Sequence, residues 1–244
     1  MKQLLNAFAM CQSMFCAIPS PFHVWDEEAR PKMLLFLPVV GLEIGLLWWG
    51  IAQLAAYLNL PELIRGLFVA LWPFLATGYL HLDGFMDVTD AVKSCRSLDR
   101  RREILKDSHV GAFAVINAAM LMLAQFAFAS SAEGDWQVLI FVPVVSRCGS
   151  ALAVTLLKPM STSQYAVQNI NRNHAIVLAL MLIAAVAGGF LLCGKYGFAL
   201  LGGAAGYLLA LHKGYRSLVG MNGDISGYSL TVSELCSLLV LALL

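Results

Sequence analysis

The sequence predicts an all-α, polytopic integral membrane protein of about six to seven transmembrane helices, preceded by an N-terminal interfacial helix. Composition is the first reason. Of 244 residues, 59% are apolar and only 13% charged, against roughly half and a quarter in soluble domains. Mean hydropathy is +0.75. The second reason is that seven stretches approach the roughly 20 apolar residues that cross a bilayer. The third is charge placement. Of the 16 Lys and Arg, only Arg65 and Lys195 fall on turns expected outside, and Arg147 falls within a span. All the others lie on segments that are cytoplasmic if the N-terminus is, as the positive-inside rule requires.

Residues 1–33 come first. "MKQLLNAFAMCQSMFC" carries one lysine and an apolar run broken by Asn6, Gln12 and Ser13, too polar for a cleaved signal. An amphipathic helix on the membrane surface is expected. The spans follow at 34–58, 63–80, 111–130, 137–157, 175–193, 197–212 and 230–244, the last two being short. No linker divides the chain, so 1–244 reads as one membrane domain, with 34–244 as the bundle. The acidic turn 130–135 falls outside. The segment 81–110, the polar loop 158–174 and the glycine-rich loop 213–229 emerge on the cytoplasmic face, where they can converge on one site. The six cysteines are scattered through apolar runs with no metal-ligand spacing and read as small buried hydrophobes. A net charge of +1 gives no reason to expect nucleic acid, and nothing in the sequence fixes an oligomeric state.

The segment "GYLHLDGFMDVTDAV" sets Asp83, Asp87 and Asp90 directly behind a hydrocarbon run. At 100° per residue they fall at about 0°, 40° and −20°, one narrow stripe. His81 points away from it. Carboxylates so arranged at a membrane boundary repel one another and call for a cation. Oxygen donors favour Mg²⁺ or Mn²⁺ over zinc. A solvated helix end paired with Arg96 or Arg100–Arg102 is the bland alternative.

In "DRRREILKDSHVGAF", Arg102 and Lys106 supply cations, and Ser108 is expected to cap a helix beginning near 109. With Gly111 this reads as an anion cradle; lipid headgroups are the competing partner for the arginines. In "GMNGDISGYSLTVSE", Gly220, Gly223 and Gly227 let the backbone approach a ligand, and Asp224 offers another carboxylate. Arg147, within a span, needs a carboxylate or a substrate phosphate as partner; Glu43 is one candidate.

These three segments, in this order on a polytopic chain of this length, resemble the cobalamin synthase family, the adenosylcobinamide-GDP ribazoletransferases. The family's D-G-x-x-D-x-x-D matches Asp83, Gly84, Asp87 and Asp90. Its K-D-S-x-x-G matches Lys106, Asp107, Ser108 and Gly111, and its G-D-x-x-G matches Gly223, Asp224 and Gly227. The chain departs at Ala17, where the family usually has arginine, and at Asn222, where it usually has threonine.

The resemblance implies joining adenosylcobinamide-GDP to α-ribazole or its 5′-phosphate with release of GMP, at an active site on the cytoplasmic face of the cell (inner) membrane. It implies Mg²⁺, one ion or two, with Mn²⁺ able to substitute. The implied metal ligands are Asp83, Asp87, Asp90, Asp107 and Asp224. Asp90 or Asp224 would take the hydroxyl proton. Lys106 and Ser108 would hold phosphate, with Arg102, Arg147, Asn222 and Gly223 as further substrate contacts. Other readings are an Mg²⁺-dependent intramembrane prenyltransferase or another membrane phosphotransferase, and, outside enzymes, a cation transporter. The first lacks its second aspartate-rich motif, and the last fits poorly with acids set beside arginines.

Overall fold

The computed structural model describes residues 2–20, 22–134, 136–160, 163 and 173–244. Among them the chain forms helices α1 (Lys2–Phe15), α2 (Leu37–Tyr57), α3 (Glu62–Ala76), α4 (Leu80–Lys93), α5 (Leu98–Ile104), α6 (Ala112–Ser131), α7 (Val142–Leu156), α8 (His174–Cys193), α9 (Phe198–Leu218) and α10 (Gly223–Ala242). Short 3₁₀ turns lead into α2, α7 and α9. Pro38 and Pro143 stand in the first turns of α2 and α7, where the missing N–H has no intrahelical partner to lose.

Among the described residues, five helical stretches are long and apolar enough to cross a membrane, or six if the bent pair α3–α4 is one span. One of the five, His174–Leu218, is 45 residues long and folds back on itself. Gly194 turns with φ +57, and Gly189 of α8 touches the Leu200 side chain of α9, although eleven residues of straight helix would part them by about 16 Å. Each limb is therefore of spanning length. Leu123 of α6, Leu191 of α8 and Leu209 of α9 are exposed, an apolar outer surface suited to lipid.

Small residues draw the helices together, as membrane bundles require. Gly41 and Gly45 of α2 abut the carbonyls of Pro143 and Ile140, and Gly66 of α3 abuts Ser130 of α6. Three polar side chains between the helices donate to backbone carbonyls. Trp48 Nε1 donates to Val69 O (2.8 Å), Trp72 Nε1 to Ile44 O (3.0 Å) and Gln125 Nε2 to Ala70 O (2.9 Å). α10 packs against α9, α4, α7 and α6. The expected interfacial helix is α1, with Met10 and Cys11 buried. Asn6 Nδ2 donates to Asp26 Oδ2 (2.7 Å) and Lys32 Nζ to Gln3 Oε1 (2.6 Å), tying α1 to the segment before α2.

Two expectations need correction. The span placed at 63–80 stops at Ala76, and the chain turns by 85° into α4. Gly78 (φ +56) and Tyr79 (φ +66) make that turn in left-handed conformations, and the Thr77 hydroxyl bonds back to Pro73 O (2.9 Å). The glycine-rich loop 213–229 is mostly helix. α9 runs on to Leu218 and α10 starts at Gly223 rather than near 230, leaving only the turn 219–222. Val219 (φ +52) and Gly220 (φ +146) reverse the chain. Met221 N donates to Lys158 O (2.9 Å) and Met160 N to Met221 O (2.9 Å), fastening the turn to the segment after α7. Residues 161, 162 and 164–172 of the expected polar loop, and Asp135 of the acidic turn, lie outside the described residues.

Candidate active site

The site is built where α4 crosses α10, and two glycines set the separation. A Cβ at Gly84 would lie 3.0 Å from both Cα and O of Asp224, and one at Gly227 would lie 3.2 Å from Cα of His81. Thr231 Oγ1 donates to His81 O (3.2 Å), and Phe85 stacks on Tyr228 with centroids 5.5 Å apart. Asp224 thereby joins the stripe on α4. Asp87 is half-buried, and the charges of Asp83, Asp224 and Asp90 all bear on it. Asn222 caps α10 by accepting from Ile225 N (3.0 Å), and its Nδ2 holds Asp224 Oδ2 (2.6 Å). Asn222 therefore orients the carboxylate. A Cβ on Gly223 would meet nothing within 4 Å, so this position stays open to a ligand.

Asp90 has a task the sequence did not disclose. Its Oδ2 accepts from Gly111 N (2.6 Å) and its Oδ1 from Ala114 N (2.9 Å), so it caps α6 from another helix. Ser108 does not cap, contrary to expectation. α6 begins at Ala112 after Gly111, with no cap from a local side chain, because the distant carboxylate takes those N–H groups. A side chain at 111 would collide with Asp90, its Cβ 2.5 Å from Oδ2.

Other expected contacts are engaged elsewhere. Arg102 Nε and Nη2 donate to Leu218 O (3.0 Å) and Val219 O (2.7 Å), and Arg101 Nη1 to Ser217 O (3.3 Å), so these guanidinium groups close the C-terminus of α9. Arg147 is wholly buried at 0% exposure. Its carboxylate partner is Glu234, at 2.7 Å from Nη1, rather than Glu43. Asp107 is exposed on the loop before α6. The His109 amide and ring hold its carboxyl below the ordinary carboxylate range. Lys106 and Ser108 are exposed on the loop before α6.

Beside the crossing lies a cavity of about 260 Å³. Asp83, Asp224, His81, Ser150, Ser226 and Gly223 line one part of it, and Met14, Phe15, Leu34, Leu37, Leu80 and Val154 the rest. Sequence reasoning missed this wall. His81 was read as facing away because a helical wheel counts only its own helix, and Ser150 and Ser226 sit in apolar runs without a motif.

The profile of the cobalamin-5-phosphate synthase family matches residues 7–242. The chain belongs to that family. Its relatives include proteins named adenosylcobinamide-GDP ribazoletransferase. One from Clostridium perfringens (strain 13 / Type A) is 35% identical, with all of both chains covered. One from Brevibacillus brevis is 34% identical over 97% of this chain and 98% of its own. One from Lachnoclostridium phytofermentans is 31% identical over 95% and 91%. No solved structure matches. The Ala17 amide donates to Ala76 O (2.8 Å) at the break between α3 and α4. Family membership leaves the prenyltransferase and transporter readings without support.

Proposed function

We propose that this protein transfers the adenosylcobinamide phosphate of adenosylcobinamide-GDP to α-ribazole or its 5′-phosphate, with the site on the cytoplasmic face of the cell membrane. The observation that carries this reading is that Asp83 of α4 and Asp224 of α10 line one cavity, with the charges of Asp83, Asp224 and Asp90 all bearing on Asp87.

The donor set is oxygen only, as Mg²⁺ or Mn²⁺ prefers. Among the described residues no group of three or more His, Cys, Asp or Glu forms a ready metal cage. That suits a cation which keeps several waters and takes substrate phosphates as ligands. Asp83 and Asp87 would hold it, and bound there it neutralises charge on the phosphate oxygens.

The chain's own residues position and deprotonate. A ribose hydroxyl oxygen bonds to the phosphorus nearer the corrinoid side chain, the bridging P–O bond breaks, and GMP leaves with the electron pair. The hydroxyl proton goes to Asp224, which Asn222 orients; Asp90, already accepting from two amides, is the weaker base. Lys106 and Ser108, on the loop that leads to the Asp90-capped end of α6, meet the diphosphate from the solvent side.

Turnover by purified protein tests this: adenosylcobinamide-GDP with α-ribazole 5′-phosphate, with and without Mg²⁺, following GMP. Metal-dependent GMP release with a cobamide product is expected. Folded protein giving no product across metals and bases would overturn the reading.

A further inference from the structure

The two substrates differ greatly in size, and the cavity at the α4–α10 crossing discriminates between them. Ligand pockets commonly run from about 300 to 1,000 Å³; this one, at about 260 Å³, has room for a small heterocycle with a sugar and none for a corrinoid macrocycle. Its lining has two characters. Phe15, Leu34 and Leu37 offer an apolar face to a flat aromatic base, and His81, Ser150, Ser226 and the two carboxylates form the polar wall.

That polar wall holds groups with bonding capacity left over. His81 is 9% exposed, and its Nε2 is buried with no hydrogen-bond partner. Ser150 and Ser226, both buried, bond to each other. The Tyr207 hydroxyl also reaches both serines, so the three hydroxyls share their protons and it is oxygen lone pairs that remain for a third party. Buried polar atoms in native proteins are rarely left unpaired, and a ligand bearing hydroxyls and a ring nitrogen would complete these. Asp224 shares the cavity with them, so a sugar held on the serine wall brings its hydroxyl to the carboxylate.

We propose that this cavity seats the acceptor nucleoside, with His81, Ser150 and Ser226 as its polar contacts and the apolar wall against its base, while the corrinoid substrate stays outside and presents only its diphosphate at Asp83. The assignment rests on the transferase reading above. It makes His81 a specificity residue for the riboside alone.

Initial rates measured with each substrate varied in turn test it on the full-length protein in detergent. His81→Phe, which keeps bulk but no polar atom, should raise KM for α-ribazole about tenfold, as should Ser226→Ala, with KM for adenosylcobinamide-GDP shifted less than about twofold. His81→Gln, which returns a polar atom at similar reach, should recover most of the loss. Equal rises in both KM values, a rise confined to adenosylcobinamide-GDP, or no change would overturn the assignment. Hydrogen exchange on the wild-type protein keeps the test independent of variant folding. α-Ribazole alone should protect peptides covering 80–84 and 223–227; protection elsewhere, or none at saturating riboside, would also overturn it. Wild-type protein that releases no GMP would remove the transferase reading itself, whereas normal turnover with unmoved riboside KM removes only the pocket assignment.

Discussion

Gly84 of α4 and Asp224 of α10 meet backbone to backbone, so closely that a Cβ on the glycine would lie 3.0 Å from the aspartate's Cα and carbonyl oxygen. The carboxylates on the two helices are neighbours because residue 84 has no side chain. Gly84→Ala should wedge the helices apart, cost about 1–3 kcal/mol of stability and lower turnover about tenfold or more. Thermal unfolding and GMP release on one preparation check both effects; an unchanged rate would show that the crossing distance is immaterial.

Asp90 is a cap before it is anything else. Asp90→Ala should lose about 1–2 kcal/mol, the usual worth of a helix N-cap, and Asp90→Asn less, since an amide oxygen still accepts. Both should be visible as lowered unfolding temperatures with no metal present. Equal stability in all three proteins would contradict the capping geometry.

The Arg147–Glu234 pair predicts a non-additive cycle. Removing either charge strands the other in an apolar interior, a loss of about 3–5 kcal/mol. Arg147→Met with Glu234→Leu should recover most of it. If the pair is structural, the double variant keeps the wild-type KM for adenosylcobinamide-GDP, whereas a large rise would restore Arg147 as a phosphate contact.

Asp87 separates chemistry from folding. Asp87→Asn relieves repulsion among Asp83, Asp224 and Asp90, so the protein should insert and unfold no earlier than wild type. Turnover should nevertheless fall about 100-fold or more if charge on this stripe serves the transition state. Chelation of Mg²⁺ should abolish wild-type turnover and its return restore it. Full activity in Asp87→Asn would sink the metal assignment.

The docking of α1 carries a pH dependence of defined sign. The Asn6 side-chain amide is the chief cause holding the Asp26 carboxyl below its ordinary value of 3.8. The folded state thus favours the ionised form, and the contribution is complete above that value and disappears as pH falls through the lower, folded one. Fluorescence of Trp25, whose Nε1 donates to Glu27 Oε1 (2.7 Å), should be flat from neutral pH down to about 5 and change only below the ordinary carboxylate value. A transition near pH 6 would point to a different group.

The legible part of the molecule was the part written in local periodicity. Runs of apolar residues announced the spans, and 100° spacing placed Asp83, Asp87 and Asp90 on one face. What the sequence withheld depends on residues far apart. Asp90 looks like its two neighbours until α6 presents its amides. Asn222 and Gly223 read as loop because the Asn222 side chain caps a helix whose first turn is rich in glycine and serine. Arg102 looked free for phosphate because the carbonyls it meets are 116 and 117 positions on. His81 drew little weight because its unpaired nitrogen matters only beside Ser150 and Ser226 of two other helices.

The contact of His81 with Thr231 joins residues 150 positions apart, and this has a consequence for how the protein comes into being. During synthesis the acidic helix leaves the ribosome long before α10 exists, and every earlier span can insert without it. Until that last helix arrives the carboxylates lack Asp224, the cavity lacks Ser226 and Gly223, and Arg147 lacks its counter-charge. A chain halted short of the turn at 219–222 lacks Asp224, Ser226 and Glu234, so on the proposed reading the site is assembled only once α10 packs against α4.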